Sequence, residues 1–281
     1  MRTRASIVAV TGALAVAGLV APTAVAVDGP GRDSAPRFAE KFDTSGKSGA
    51  TARSAKAAAP VISSVVVNGG KPIVVGVSNK PVRATFKVTS PTGIGFSDAE
   101  LWHGTTYTET TPFIPTDGIK NCTGTTATCT ADFEIMPFLD LTNARAGKWN
   151  LAVGVIDGEF LEETAQVKAG SLTILRESRL TTNATPEPVK KNKILTVTGA
   201  LRIANWSNQT FGGYGNHTVH LEYMKKGAKK YTRVKTLKTD KAGNVKTTIK
   251  ATADGYWRYV YPGVSPVIAP KTSVADFVDV R

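Results

Sequence analysis

Apolar and polar positions alternate most clearly after two Gly-x-Trp triplets. At 147–155 the order Gly-Lys-Trp-Asn-Leu-Ala-Val-Gly-Val places Trp149, Leu151, Val153 and Val155 on one side. At 255–261 the order Gly-Tyr-Trp-Arg-Tyr-Val-Tyr places Trp257, Tyr259 and Tyr261 on one side. Successive side chains of a strand point to opposite faces, so each stretch predicts a turn followed by a strand with one buried face. Trp149 and Trp257 are the predicted centres of two cores.

The same period recurs on both sides of these strands. Before the first lie β-rich runs at 61–67, 73–77, 84–89, 99–103 and 133–138, and after it one at 170–175. Around the second, alternation runs through 195–201, 218–223, 230–239, 245–251 and 274–280. Gly, Pro, Asn and Asp punctuate them, as at Asn68-Gly69-Gly70 and Asp240-Lys241-Ala242-Gly243. Roughly seven short strands per half without helical periodicity is the pattern of a β-sandwich. The expected organisation is all-β: a first sandwich over 60–176, joined near Arg176 to a second over 177–281.

The N-terminal pattern is different. Arg2 and Arg4 precede a mildly apolar run, and Ala24-Val25-Ala26 follows it. This is the layout of a secretory signal peptide over 1–26, with cleavage after Ala26. Residues 27–59 are rich in Ala, Ser, Gly and Lys, with Phe38 and Phe42 the only aromatics. Such a segment buries too little apolar surface to offset its ordering entropy, so disorder is expected. No span follows the signal, and the expected location is extracellular.

Export changes how Cys122 and Cys129 read. They are the only cysteines, seven positions apart across a Gly- and Thr-rich stretch. In an oxidising compartment a local disulfide is expected. Closing so short a loop constrains the unfolded chain by roughly 2–3 kcal/mol.

Several segments resemble a group of secreted actinobacterial two-domain proteins. They are 183–191 (Asn-Ala-Thr-Pro-Glu-Pro-Val-Lys-Lys), 195–199 (Leu-Thr-Val-Thr-Gly), 253–259 (Ala-Asp-Gly-Tyr-Trp-Arg-Tyr), 68–74 and 100–104. The group's function is not established, and members are sometimes labelled calcium-binding proteins. The resemblance implies secretion and two consecutive immunoglobulin-like domains; it supplies no catalytic residues.

No Gly-x-Ser-x-Gly elbow and no His-Glu-x-x-His occurs, so a non-enzymatic protein is expected, without a cofactor. For Ca²⁺, no Asp-x-Asp-x-Asp-Gly loop exists, and the best acidic turn offers Asp157 and Glu159 as candidate ligands.

Charge divides the chain more sharply. Residues 60–176 hold nine Lys/Arg against eleven Asp/Glu, whereas 177–281 hold eighteen against seven. Lys225, Lys226, Lys229, Lys230, Arg233, Lys235 and Lys238 head a run continued by Lys241, Lys246 and Lys250 and opposed only by Asp240. Outside a cell this predicts a surface for anionic wall polymer, acidic exopolysaccharide or extracellular nucleic acid, the last without a recognition motif. The competing reading is that lysines on exposed strands guard sheet edges and keep the protein soluble. A second candidate is the loop holding Asn205, Trp206, Asn208, Phe211 and Tyr214, whose rings and amides suit a glycan or protein partner. Two functions follow: a secreted binding protein at or near the bacterial envelope, or a structural, accessory Ca²⁺-binding sandwich protein.

Overall fold

The computed structural model describes residues 37–42 and 58–281. The signal-like stretch 1–26 lies outside the described residues, as does most of 27–59. The first half forms β1 (Val61–Val67), β2 (Ile73–Val75), β3 (Lys80–Thr89), β4 (Ile94–Trp102), β5 (Phe113–Pro115), β6 (Gly118–Lys120), β7 (Thr126–Ile135), β8 (Gly147–Asp157) and β9 (Glu163–Arg176). One sheet has the order β1-β3-β7-β6 and the other β2-β9-β8-β4-β5, with β2 parallel to β9. The alternation read from the sequence decides which residues meet between them. Val82, Ala84, Phe86 and Val88 of β3 and Cys129, Ala131, Phe133 and Ile135 of β7 share one core with Trp149, Leu151, Val153 and Val155 of β8.

The second half forms β10 (Ser178–Leu180), β11 (Asn183–Thr185), β12 (Ile194–Asn205), β13 (Thr210–Gly213), β14 (Thr218–Lys225), β15 (Thr232–Lys238), β16 (Asn244–Lys250), β17 (Gly255–Tyr261), β18 (Lys271–Thr272) and β19 (Asp276–Val278). β12 carries β10, β11, β13 and β16; opposite it stands β15-β14-β17, with β18 and β19 both on β17. Leu195, Val197, Val219, Leu221, Trp257, Tyr259 and Tyr261 meet between the sheets. Tyr259 is fully buried, and its hydroxyl donates to the Val197 carbonyl at 3.1 Å, which satisfies it. Gly199 is needed opposite this ring, since a Cβ there would sit 2.8 Å from it.

Both halves are immunoglobulin-like by strand order. In each, alternate strands pair in opposite sheets: β3 with β7 and β4 with β8 in the first half, β12 with β16 and β14 with β17 in the second. They differ in where an intervening strand goes: β6 joins β7, whereas β15 joins β14. Trp149 is fully buried, and its Nε1–H donates to the Arg145 carbonyl at 2.8 Å. Trp257 is also buried, against Tyr223 at 4.5 Å between ring centroids.

Three expectations need correction. The Thr-rich stretch 104–130, between the predicted runs at 99–103 and 133–138, is not all connection: β5, β6 and the first part of β7 lie in it, and Cys129 is a core residue of β7 disulfide-bonded to Cys122. Thr is a good strand residue, and the ladder with β3 extends through Thr126. Second, 133–138 is not one strand; β7 ends at Ile135 and a short helix, Pro137–Asp140, follows. Third, residues 37–42 of the arm are ordered against the first sandwich. A helical turn, α1 (Phe38–Lys41), buries Phe38 and Phe42 with Trp102 and Ala152.

The halves meet through a continuous junction. The Arg176 guanidinium donates through Nε to the Ala204 carbonyl at 2.8 Å, and the Ala204 N–H donates to the Glu177 carbonyl. Arg176 and Val267 also bond through their backbones. Trp206, from the second half, completes the first core: it is fully buried there, and its Nε1–H donates to the Val75 carbonyl at 3.2 Å.

Candidate functional site

β15 and β16 are consecutive strands in different sheets, and each is an edge. β15 pairs only with β14 and β16 lies at the side of β12. The turn between them is held by Asp240, whose Oδ1 accepts from the Ala242 and Asn244 N–H groups at 2.9 and 2.8 Å. The one acidic residue inside the basic run is thus committed to the backbone. The two edges border one side of the sandwich, because the Lys235 ammonium on β15 donates to the Thr248 carbonyl and Thr247 hydroxyl of β16 at 2.8 and 3.1 Å.

Register decides where each cation points. Lys235 stands opposite Leu221, a core residue, so it faces inward and closes the gap between the sheets. A register shift between Leu221 and Glu222 then brings Arg233 opposite Glu222 on the outer face, and Lys238 stands opposite Thr218. Lys246 and Lys250 of β16 lie outward beside Thr198 and Ile194 of β12. Lys225 ends β14, Lys226, Lys229 and Lys230 occupy its connection to β15, and all four are exposed. Among the described residues Lys226 is the one member of the run with a carboxylate partner, Asp254 at 3.4 Å; its ammonium also lies 5.6 Å from the Phe277 ring centre. The connection itself is fixed by Arg258, which donates to Glu222 through Nε and Nη2 at 2.9 and 2.8 Å and stacks 3.6 Å over Tyr231. Two exposed edge strands of seven residues, each about 23 Å long, therefore carry one cationic band.

An inward-pointing charge on an edge strand blocks pairing with a second edge. Lys235 fits this role by position. Lys235→Leu will raise self-association, seen as concentration-dependent dimer or larger species in sedimentation; a strictly monomeric variant would remove that role.

The aromatic and amide segment is not an open platform. Thr210–Gly213 pairs back on β12, so the predicted loop is a hairpin. Trp206 is buried in the first core. Asn205 Oδ1 accepts from Asn143 Nδ2–H at 2.8 Å, tying the halves together. Asn208 Oδ1 accepts from the Thr210 N–H and hydroxyl. Phe211 lies beneath the Arg179 guanidinium at 3.5 Å, and Tyr214 stacks on His217 at 3.6 Å. The correction falls on Trp206, whose burial in the first core removes it from any glycan surface, while Asn208 stays exposed and Phe211 and Tyr214 half-buried.

Asp157 is likewise corrected as a Ca²⁺ ligand. It is fully buried; Oδ1 accepts from the Leu161 and Glu162 N–H groups at 2.8 and 3.2 Å, and Oδ2 accepts from the Thr92 hydroxyl at 2.8 Å. Burial opposes its ionisation, but these donors outweigh burial and hold its pKa below the ordinary value. Glu159 sits exposed on the same turn. Among the described residues no group of three or more His, Cys, Asp or Glu side chains is placed to hold a metal. A depressed carboxyl contributes stability above its unfolded pKa and loses it as pH falls through the folded value. Asp157→Ala should therefore cost about 1–3 kcal/mol at neutral pH by stranding the two N–H groups. The loss should shrink in acid below roughly pH 4 and be the same with calcium or with a chelator. A loss seen only with calcium would restore the metal reading.

No protein-family model and no curated protein matches the chain. Among solved structures it is similar to fibronectin(III)-like modules of Clostridium thermocellum CbhA, at 14% identity over 77% of this chain and 95% of that one, with a TM-score of 0.28. A chimeric titin Z1Z2-Z1Z2 tandem is similar at 12% identity over 75% and 94%, TM-score 0.28. The D0-D1 domain of Intimin is similar at 12% over 77% and 98%, TM-score 0.24. The fold assignment rests on strand order and the two cores, not on these likenesses. Among the described residues no helix is long and apolar enough to cross a membrane.

Proposed function

We propose that this is a secreted, non-enzymatic binding protein that attaches to anionic polymer at or near the bacterial envelope. The observation that carries the reading is the cationic band on β15 and β16. Two consecutive edge strands place Lys/Arg side chains along one side of the second sandwich, with the nearby acid, Asp240, turned to its own backbone. Lys predominates, which suits non-specific attraction to a charged chain over bidentate recognition of one group. The signal-like N-terminus and the disulfide support an extracellular setting.

The same band contains a residue better explained by protection. Lys235 points inward and bonds across the sheets, so it guards the edge while its outward neighbours remain available to ligand. Retention on purified wall carrying phosphate polymer, against the same wall stripped of it, tests the proposal. Binding should be confined to the phosphate-bearing wall; equal retention on both would refute it.

A further inference from the structure

The outer face of the first sandwich carries a site that the cationic band does not involve. On β4 the residues alternate by face. Ala99 and Leu101 point into the core, so Asp98, Glu100 and Trp102 point out, where water would be expected to cover them. All three are instead buried. The cover is residues 37–42, Arg-Phe-Ala-Glu-Lys-Phe, joined over Trp102 by Tyr107 and Val167.

The contacts are those of a ligand on a receptor. The Phe38 N–H donates to Glu100 Oε2 at 3.1 Å, and Tyr107 OH donates to Glu100 Oε1 at 2.9 Å. Arg37 lies 3.8 Å from Glu100, donates to the Thr111 carbonyl at 2.9 Å, and sits 4.5 Å over the Phe113 ring. Lys41 pairs with Asp98 at 2.5 Å. Between the two ion pairs, Phe38 and Phe42 pack on each other at 4.8 Å, and Phe42 stacks on Phe96 at 5.8 Å. Gly154 makes the approach possible, since a Cβ there would lie 2.5 Å from the Phe42 ring. The segment's backbone-to-backbone bonds are internal to its own turn, from Glu40 to Arg37 and from Phe42 to Phe38. It belongs to neither sandwich core and adds no rung to the sheet. Its hold is two cations on two carboxylates with two rings between, and one main-chain donor, the Phe38 N–H on Glu100.

We infer that the outer face of β4 and β8 is a peptide-recognition site for an Arg-Phe-x-x-Lys-Phe sequence, and that residues 37–42 are its in-chain occupant. Fifteen residues separate this segment from residue 58, where the described chain resumes. Because the occupant belongs to the same chain its binding is intramolecular, so even a modest intrinsic affinity keeps the site filled. The site then accepts the same sequence from outside only when the in-chain copy is weakened.

The test uses the full chain carrying Phe38→Ala and Phe42→Ala, with a fluorescent peptide spanning residues 35–44 as probe. The variant should bind the peptide at least tenfold more tightly than the unaltered chain does. Adding Asp98→Asn and Glu100→Gln to the variant should weaken binding at least tenfold, as should Phe42→Ala in the peptide. A folded variant that binds no peptide, or binds equally without the two carboxylates, would overturn the inference. Should the double variant fail to fold, a protease site placed between 43 and 57 of the otherwise unaltered chain gives the same answer. After cleavage the labelled peptide should displace the released segment, and a segment that never exchanges would count against the site.

Discussion

Trp206→Ala will unfold the first sandwich at a lower temperature, although residue 206 follows the whole of that sandwich in sequence. Truncating a fully buried Trp costs about 3–5 kcal/mol, and the lost bond to the Val75 carbonyl adds about 1 kcal/mol. For a unit of this size that corresponds to a fall of about 10 °C or more. Calorimetry should show the transition of the first sandwich moving down while that of the second, whose core lacks this side chain, moves little. The two transitions should also move apart, because Trp206, Arg176 and the Asn143–Asn205 bond form the junction that couples the halves and the variant weakens it. Trp206→Phe retains much of the volume and should cost less. A shift confined to the second sandwich would mean that Trp206 does not complete the first core.

Reversing Lys229, Lys230 and Lys238 to Glu will weaken binding to anionic polymer by about a hundredfold. Each is exposed and unpaired among the described residues, so folding should be little affected. A cation near an anionic surface contributes about 1 kcal/mol, and reversal replaces attraction by repulsion. The matched control is Lys71, Lys87 and Lys148 of the first sandwich, also exposed, reversed together. Net charge changes identically in the two variants. If attraction depends on the band, the control keeps most of its binding; if it depends on total charge, both lose it alike.

Much of the fold was legible because burial in a sandwich follows period two. The Trp149 and Trp257 strands read correctly since each alternates without interruption and each begins at a Gly. What was missed lies in contacts between distant segments. Trp206 reads as a loop aromatic, and nothing near it in sequence shows that its ring enters the other half. Phe38 and Phe42 stand in a stretch too polar to predict order, because their partners in the first sandwich are more than fifty residues away. A signal did exist: Trp102 falls on the outward side of β4 beside two outward carboxylates, and such a Trp needs cover. The acidic turn at Asp157 was placed correctly, but only coordinates show its carboxylate turned inward. The cationic run was visible as composition, and the register added its geometry, separating the inward Lys235 from its outward neighbours.

The most direct measurement is the salt dependence of binding to the phosphate-bearing polymer, compared between the unaltered chain and the Lys229/Lys230/Lys238 reversal. Cations that contact the polymer release its counterions, so log affinity should fall linearly with log salt. Losing three contacts should flatten that slope by about 3. A slope unchanged by the reversal, or binding insensitive to salt, would show that β15 and β16 are not where the polymer sits.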